Sequence, residues 1–255
     1  MKRKNSLYSY KSDNIHPGFS IDCVILSFHK KKLRILLNKF YFSEYWQLPG
    51  GFMLKDESSD EAATRILSAR TRLSGIYLKQ FYLFSDPNRT KMDQNRKYIE
   101  KDTCKEEYEE DIKKWFLQRF ISLGYYAFVK YDDVNLVSVK EDTAKWFTID
   151  KLPDLYSDHK NIIKTALEMI RSMVSILLVA YKLLPEKFTM SDLRKIYETF
   201  WDKTLDRRNF QRKVLSTGVL IQLDERGNTS PHNPPILYTF NKEKMVDDLN
   251  LLMNV

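Results

Sequence analysis

The sequence predicts an α+β protein in two parts: a mixed α/β domain, then a smaller helical domain closed by a two-stranded ribbon. Between about residues 19 and 150, short β-rich runs alternate with one well-formed amphipathic helix. From His159 to about Thr217 the pattern becomes helical and stays so. Two apolar strands around a polar tip follow.

Composition bounds the function. A chain of 255 residues, 43% hydrophobic and 13% aromatic, can build two cores and is not a disordered polypeptide. The net charge of +8 points weakly to a polyanionic partner. Cys23 and Cys104 stand far apart with no CxxC pair, which excludes a disulfide framework and argues against structural zinc. His16, His29, His159 and His232 never fall at ligand spacing, so no metal or other cofactor is expected. The start MKRKNSLYSYKSDN lacks the apolar segment of a signal peptide. The longest apolar stretch, Met173 to Leu184, is interrupted by Ser175, Tyr181 and Lys182 and falls short of the roughly 20 residues that span a bilayer. A cytoplasmic protein without membrane partners is expected.

Residues 1–15 read as a tail. Ile21–Phe28 and Leu33–Asn38 are strands joined by the basic turn HKKK, hence a hairpin. Trp46–Phe52 is a short strand broken by Pro49-Gly50-Gly51, where backbone must turn tightly or pass close to something. Asp56–Leu73 follows as a helix, with Ala62, Ile66, Ala69 and Leu73 as its apolar stripe. Ile76–Phe84, Tyr125–Tyr131 and a run near Trp146 supply further strands. The charged stretch from about 90 to 118, containing KEEYEEDIKKW, reads as an exposed, solvated helical insertion with Glu109 and Lys113 paired at i,i+4.

In the second part, residues 161–184 form one long or two short helices, closed by Pro185. The next helix starts at Thr189 or Ser191, with Leu193, Ile196, Tyr197 and Phe200 on one face. Another starts at Asp206 and ends at Gly218, before the strands VLIQL and ILYTFN. Two helices and a ribbon are the element order of a winged helix. Lys203, Arg207, Arg208, Arg212 and Lys213 face a single anion, Asp206. Arg208 and Arg212 share a helix face beside Asn209, while Phe210, Val214 and Leu215 form the opposite, core-facing stripe. Such a helix suits the major groove, where Arg reads guanine and Asn reads adenine. Arg207, Arg208, Asn209, Arg212 and Lys213 are therefore the candidate DNA-binding residues. The tip around Asn228, Ser230, His232 and Asn233 would be a wing on phosphate or the minor groove. A merely solvated basic helix is the competing reading.

The segment GGFMLKDESSDEAATRILSARTRLSG resembles the Nudix box. Gly51, Glu57 and Arg65 fall on its pattern, with Leu67 at the apolar position. Where the family has the glutamates that hold divalent ions, this chain has Ile66, Ala69 and Arg70, and the later Gly is Arg72. Ile66 and Ala69 cannot ligate a hard cation, and Arg70 puts a positive charge where Mg²⁺ would sit. No catalytic or metal residues, and no enzyme activity, are expected. Glu57 is expected to support the helix dipole and Arg65 to pair with Glu61.

Taken with the winged helix, the chain is similar to the Nudix-related transcriptional regulators, a group with repressors of NAD metabolism and the arabinose-responsive regulator of Bacteroidetes. The resemblance spans about Phe19 to Phe240. It is strongest at LPGGFMLKDES, FSDPNR, and the pair FTMSDLRKIYE and LDRRNFQRKVL. It implies a Nudix-like α/β/α sandwich with a mixed sheet over 16–158 and a winged helix-turn-helix domain with its linking helix over 159–255. It further implies a homodimer on a palindromic double-stranded DNA operator, controlled by a small effector in the former Nudix cleft, a sugar or sugar-derived metabolite. Gln47 and Phe52 flank the Gly-Gly turn, and Asp86 and Arg89 follow a strand end. With Lys55 they are the candidate effector-binding residues, although Asp86-Pro87-Asn88 also suits a plain turn. The rival functions are a Nudix-type hydrolase of nucleoside-diphosphate derivatives with a rearranged metal site, and a winged helix that binds protein instead of DNA.

Overall fold

A computed structural model describes residues 15–41, 43–101, 110–134, 136, 142–173, 176–227 and 234–245. It divides into two compact units, one drawn from residues 1–26, 35–127 and 132–166, the other from 27–34, 128–131 and 167–255. The division at 158/159 expected from the sequence falls at the start of helix α4 (His159–Met173).

The first unit is organised on a six-stranded sheet formed by β1 (Ile15–His29), β2 (Lys32–Phe40), β3 (Gly50–Leu54), β4 (Leu78–Phe84), β5 (Ile121–Phe128) and β6 (Asp142–Thr148). The order is β4-β5-β1-β2-β6, with β3 also paired to β1. Every residue from Ile21 to Leu26 is buried, with no polar alternation, because both faces of the central strand are covered. Asp22 pairs in register with Gly50, and Cys23 N–H donates to the Pro49 carbonyl at 2.8 Å. A Cβ on Gly50 would stand 2.6 Å from Asp22 Oδ1 and 2.8 Å from the Ile21 carbonyl, so the Pro-Gly-Gly stretch is a close approach as expected.

Helix α1 (Ser59–Thr71) begins three residues later than the sequence pattern suggests, because Ser58 is its cap. Ser58 Oγ accepts from Glu61 N–H and the Glu61 carboxylate accepts from Ser58 N–H, a reciprocal capping box. Its buried face is Ala62, Ala63, Ile66, Leu67 and Thr71; Ala69 and Leu73 of the expected stripe are only half-buried. Tyr125 on β5 donates its hydroxyl proton to Asp60 and hydrogen-bonds the Ser59 hydroxyl, tying the helix start to the sheet. Burial, then the Asp60 carboxylate, push the Tyr125 pKa up to about 12.

The charged insertion departs most from expectation. It holds α2 (Met92–Lys101) and α3 (Glu110–Phe116), and the second is no solvated excursion. Trp115 is 8% exposed and forms a cluster with Phe120, Phe52, Leu54 and Phe116. Asn95, also buried, donates to the Phe116 carbonyl at 2.8 Å and accepts from the Tyr156 hydroxyl. Gln94 Oε1 accepts from Ser157 N–H at 2.9 Å. Trp115 and Phe116 are hidden in the sequence by the lysines and acids that precede them. The expected Glu109–Lys113 pair lies outside the described residues.

The second unit continues from α4 into α5 (Ile176–Leu183), α6 (Met190–Trp201) and α7 (Arg207–Ser216). β7 (Phe188–Thr189), β8 (Leu220–Arg226) and β9 (Ile236–Phe240) make a three-stranded sheet in the order β7-β9-β8, one strand more than the expected ribbon. Leu193, Ile196, Phe200, Phe210, Val214, Leu220, Tyr238 and Phe240 are buried here. Thr189, not Ser191, caps α6 through a second capping box with Asp192, and Asp206 caps α7 as expected. Leu215 is 37% exposed and belongs to the surface, contrary to the expected core-facing stripe.

Trp115→Ala should cost about 3–5 kcal/mol, the usual loss for a buried Trp. Urea denaturation measures this; a change under about 0.5 kcal/mol, as for a surface site, would restore the solvated-excursion reading.

Candidate nucleic-acid interface and candidate effector site

On α7 the predicted residues Arg207, Arg208, Asn209, Arg212 and Lys213 are all exposed, while Phe210 and Val214 turn inward. Asp206 Oδ1 accepts from Asn209 N–H at 2.8 Å, and Arg212 Nη2 donates to Asn209 Oδ1 at 2.6 Å. The guanidinium and carboxamide are therefore aligned side by side before any ligand arrives. Phe210 sits edge-on to Tyr197, with ring centroids 5.2 Å apart, which fixes the rotation of α7 against α6. The turn between the helices is pinned by one acid. Glu198 Oε1 accepts from Arg194 at 2.7 Å and from Leu205 N–H at 3.1 Å, and Arg194 also donates to the Leu205 carbonyl. At the base of the ribbon Gly227 N–H donates to the Pro235 carbonyl at 2.9 Å. The wing residues Asn228, Ser230, His232 and Asn233 lie outside the described residues.

The five candidate effector residues have different immediate surroundings. Gln47 is buried, and its backbone exchanges two 2.8 Å hydrogen bonds with Asn38. Phe52 is edge-on to Trp115 at 4.3 Å and stacked on Phe120 at 5.4 Å. Lys55 and Asp86 are exposed, and Asp86 Oδ1 accepts from Asn88 N–H at 2.7 Å, the local turn that its composition also suggests. Arg89 is 7% exposed and held on all sides. It donates through Nε and Nη2 to Asp158, at 2.9 and 3.0 Å, and through Nη1 to the Phe120 carbonyl at 3.3 Å. Phe52 and Arg89 thus meet the same residue, Phe120.

Around Arg89 lies a buried polar network that the sequence reading missed. Asp22 Oδ2 is 3.8 Å from Arg89 Nη2 and accepts from Ser122 Oγ. His159 Nδ1 accepts from Leu48 N–H at 2.9 Å, so the ring proton belongs on Nε2, which faces Asp22 Oδ1 at 3.7 Å. Burial pulls the His159 pKa below its ordinary value; Asp22 and Asp158 oppose that and Arg89 adds to it. One signal was available: Asp22 is the single charge in the apolar run IDCVILSF, and a buried charge requires partners.

The residues on the Nudix pattern brace β3 against α1. Glu57 lies before the cap and not in the first helical turn, and accepts from Leu54 N–H at 2.8 Å. Arg65 pairs with Glu57, at 2.5 and 2.9 Å, and donates to the Phe52 carbonyl; its expected partner Glu61 is taken by the Ser58 capping box. Burial works to raise the Glu57 pKa, but the Arg65 and Leu54 hydrogen bonds outweigh it and hold the carboxyl below its usual range. Ile66 is 5% exposed, within the apolar face of α1. Nothing of the Arg70 side chain is described. Among the described residues no three His, Cys, Asp or Glu side chains are grouped to hold a metal ion, and no helix is long and apolar enough to cross a membrane.

Residues 180–240 match the family described as the NrtR DNA-binding winged helix domain. The chain is 24% identical over 237 residues to the ADPR responsive transcriptional repressor NtrR of Acinetobacter baylyi, covering 90% of this chain and 84% of that one. Its fold is similar to that of Shewanella oneidensis NrtR, with a TM-score of 0.62 and 22% identity over 89% of this chain and 95% of the other. The same protein in complex with a 27mer DNA gives a TM-score of 0.63. A MutT/nudix family protein from Enterococcus faecalis gives 0.59 at 20% identity, over 93% and 90% of the two chains. The fold is therefore a Nudix-like α/β domain followed by a winged helix, and the resemblance to Nudix-related transcriptional regulators extends over both. These relatives do not bear on the arabinose-responsive regulators.

His159 supplies a pH test. Its folded pKa is depressed, so below the unfolded value of 6.5 the unfolded chain binds a proton that the native state refuses. This group's effect on stability is nil well above pH 6.5 and becomes a growing loss as pH falls through it, by at most about 1.4 kcal/mol per pH unit. His159→Asn keeps an acceptor for Leu48 N–H but cannot titrate. Urea midpoints from pH 8 to 5 should fall less steeply in that variant; equal slopes would show that His159 is not held neutral.

Proposed function

We propose that this protein is an effector-controlled transcription factor that binds duplex DNA through α7 and senses a small metabolite in its Nudix-like domain. The exposed, pre-aligned basic face of α7 carries the reading, and the match of residues 180–240 to a DNA-binding winged helix supports it. Arg208, Arg212 and Asn209 read base edges, while Arg207 and Lys213 contact phosphate. His232 and Asn233 belong to the wing. The protein acts as a homodimer on a palindromic operator, from the cytoplasm.

The effector is sugar-derived, and its best candidate is ADP-ribose, because the Acinetobacter relative is ADPR responsive. Two riboses on a diphosphate fall within the class of ligand read from the sequence. Lys55, Asp86, Gln47 and Phe52 remain the residues offered to it. Arg89 contributes by holding Phe120 behind Phe52. Hydrolysis is disfavoured because Glu57 is engaged by Arg65 and Ile66 stands within the apolar face of α1.

Duplexes selected from a randomised pool should bind, with log K falling by about 0.9 per phosphate contact for each unit of log salt. Arg208→Ala should cost about 1–3 kcal/mol and relax preference at one base pair, as read by fluorescence anisotropy. Undiminished binding by an Arg208→Ala, Arg212→Ala double variant would remove α7 from the interface. ADP-ribose should raise the melting temperature and alter DNA affinity. Turnover of ADP-ribose with Mg²⁺ or Mn²⁺ would instead establish the hydrolase.

A further inference from the structure

The turn between β1 and β2 belongs to the same compact unit as α6 and α7, since residues 27–34 group with 167–255. We propose that Lys30 and Lys31, at the tip of this hairpin, form a second cationic contact to the phosphate backbone of the duplex that α7 engages. The inference rests on the DNA-binding reading above and extends it to a segment far from the winged helix in sequence.

The backbone here is unusual. β1 ends at His29 and β2 begins at Lys32, so the connection is the two residues Lys30 and Lys31, with φ of 50° and 60°. Two consecutive positive φ values are what a two-residue type I′ hairpin demands, and Asn-Gly satisfies it at least cost. Lysine in the left-handed region is strained, because its Cβ crowds the following carbonyl oxygen. Both side chains are exposed, so neither is held there by packing.

The hairpin tip is also positioned. His29 stacks on Tyr131 with ring centroids 3.9 Å apart, and Arg34 lies over the other end of the motif, 5.7 Å from the same ring. Lys31 Nζ reaches to 3.4 Å from Ser191 Oγ, in the first turn of α6. That contact is exposed and gives little stability, because the start of a helix is the end that disfavours a cation. Ser191 is not needed for capping, which Thr189 and Asp192 accomplish between themselves. Among the described residues neither Lys30 nor Lys31 meets a carboxylate. In winged-helix and related folds the helix before the recognition helix crosses the sugar-phosphate backbone. The Lys31 ammonium beside that helix, with exposed Lys30 next to it in the turn, complements a polyanion there, and a flexible lysine supplies charge without reading bases.

The test uses the full chain and two double variants, Lys30→Gln with Lys31→Gln, and Lys30→Asn with Lys31→Gly. The second removes both charges and installs the preferred turn, so its urea midpoint should equal or exceed that of the parent. Binding to a duplex selected by the parent is then measured by anisotropy across a salt series. Both variants should bind more weakly, with the slope of log K against log salt shallower by about 0.9 per lysine, while keeping the parent's base preference. A parental slope and affinity in the stable variant would overturn the inference and leave the α7 assignment intact. Altered base preference with an unchanged slope would overturn it too. If the parent itself binds no duplex, the DNA-binding reading fails first, and this one with it.

Discussion

Arg89 is the charge around which the first unit is arranged. Its guanidinium stands between Asp158 and Asp22, and it caps the Phe120 carbonyl as well. The three elements it joins are distant in sequence: the central strand, the end of the insertion, and the segment entering α4. Taking one charge out of water costs several kcal/mol unless its partners are in place, so none of these groups can be buried alone. Asp22 extends the constraint. It sits against Gly50, takes the Ser122 hydroxyl, and faces His159, which in turn receives the Leu48 N–H. The Gly-Gly strand, β5 and the start of α4 are therefore held in the one arrangement that keeps this set of hydrogen bonds and ion contacts together.

The residues read on the Nudix pattern serve the packing of β3 against α1. Glu57 and Arg65 lock to each other and to the backbone of β3, while Ile66 turns its apolar surface to the core. The Glu57 carboxylate is closed off by Arg65 and the Leu54 N–H. The same economy appears in the insertion, where charged residues dominate the composition but Trp115, Phe116 and Phe120 determine the packing against Phe52.

Patterns with one dominant local cause were legible in the sequence. The hairpin, the Pro-Gly-Gly approach, α7 from its Asp206 cap and the outward basic face were read from periodicity, cap chemistry and charge alone. What escaped depended on partners far along the chain. Arg65 chose Glu57 over Glu61 because Ser58 had claimed Glu61. Arg89 looked like a cleft residue until Asp158, 69 positions later, was seen to neutralise it. Trp115 looked solvated because helical periodicity cannot register a wall supplied by another strand. Leu215 stood on the expected stripe, yet it lies about 100° round the helix from the buried Val214, at the edge of the face that meets the core.

The hydrogen bond from Arg212 to Asn209 gives α7 a property of its own. Two groups proposed to meet bases already satisfy each other in the free protein, so engagement is an exchange and not a gain from nothing. A base edge with the right donors and acceptors replaces what the pair gives up. A wrong base offers no such replacement, and the pair stays closed. Sequence discrimination would then be registered as how long a complex lasts, with the closed pair acting as the standing competitor to every incorrect site.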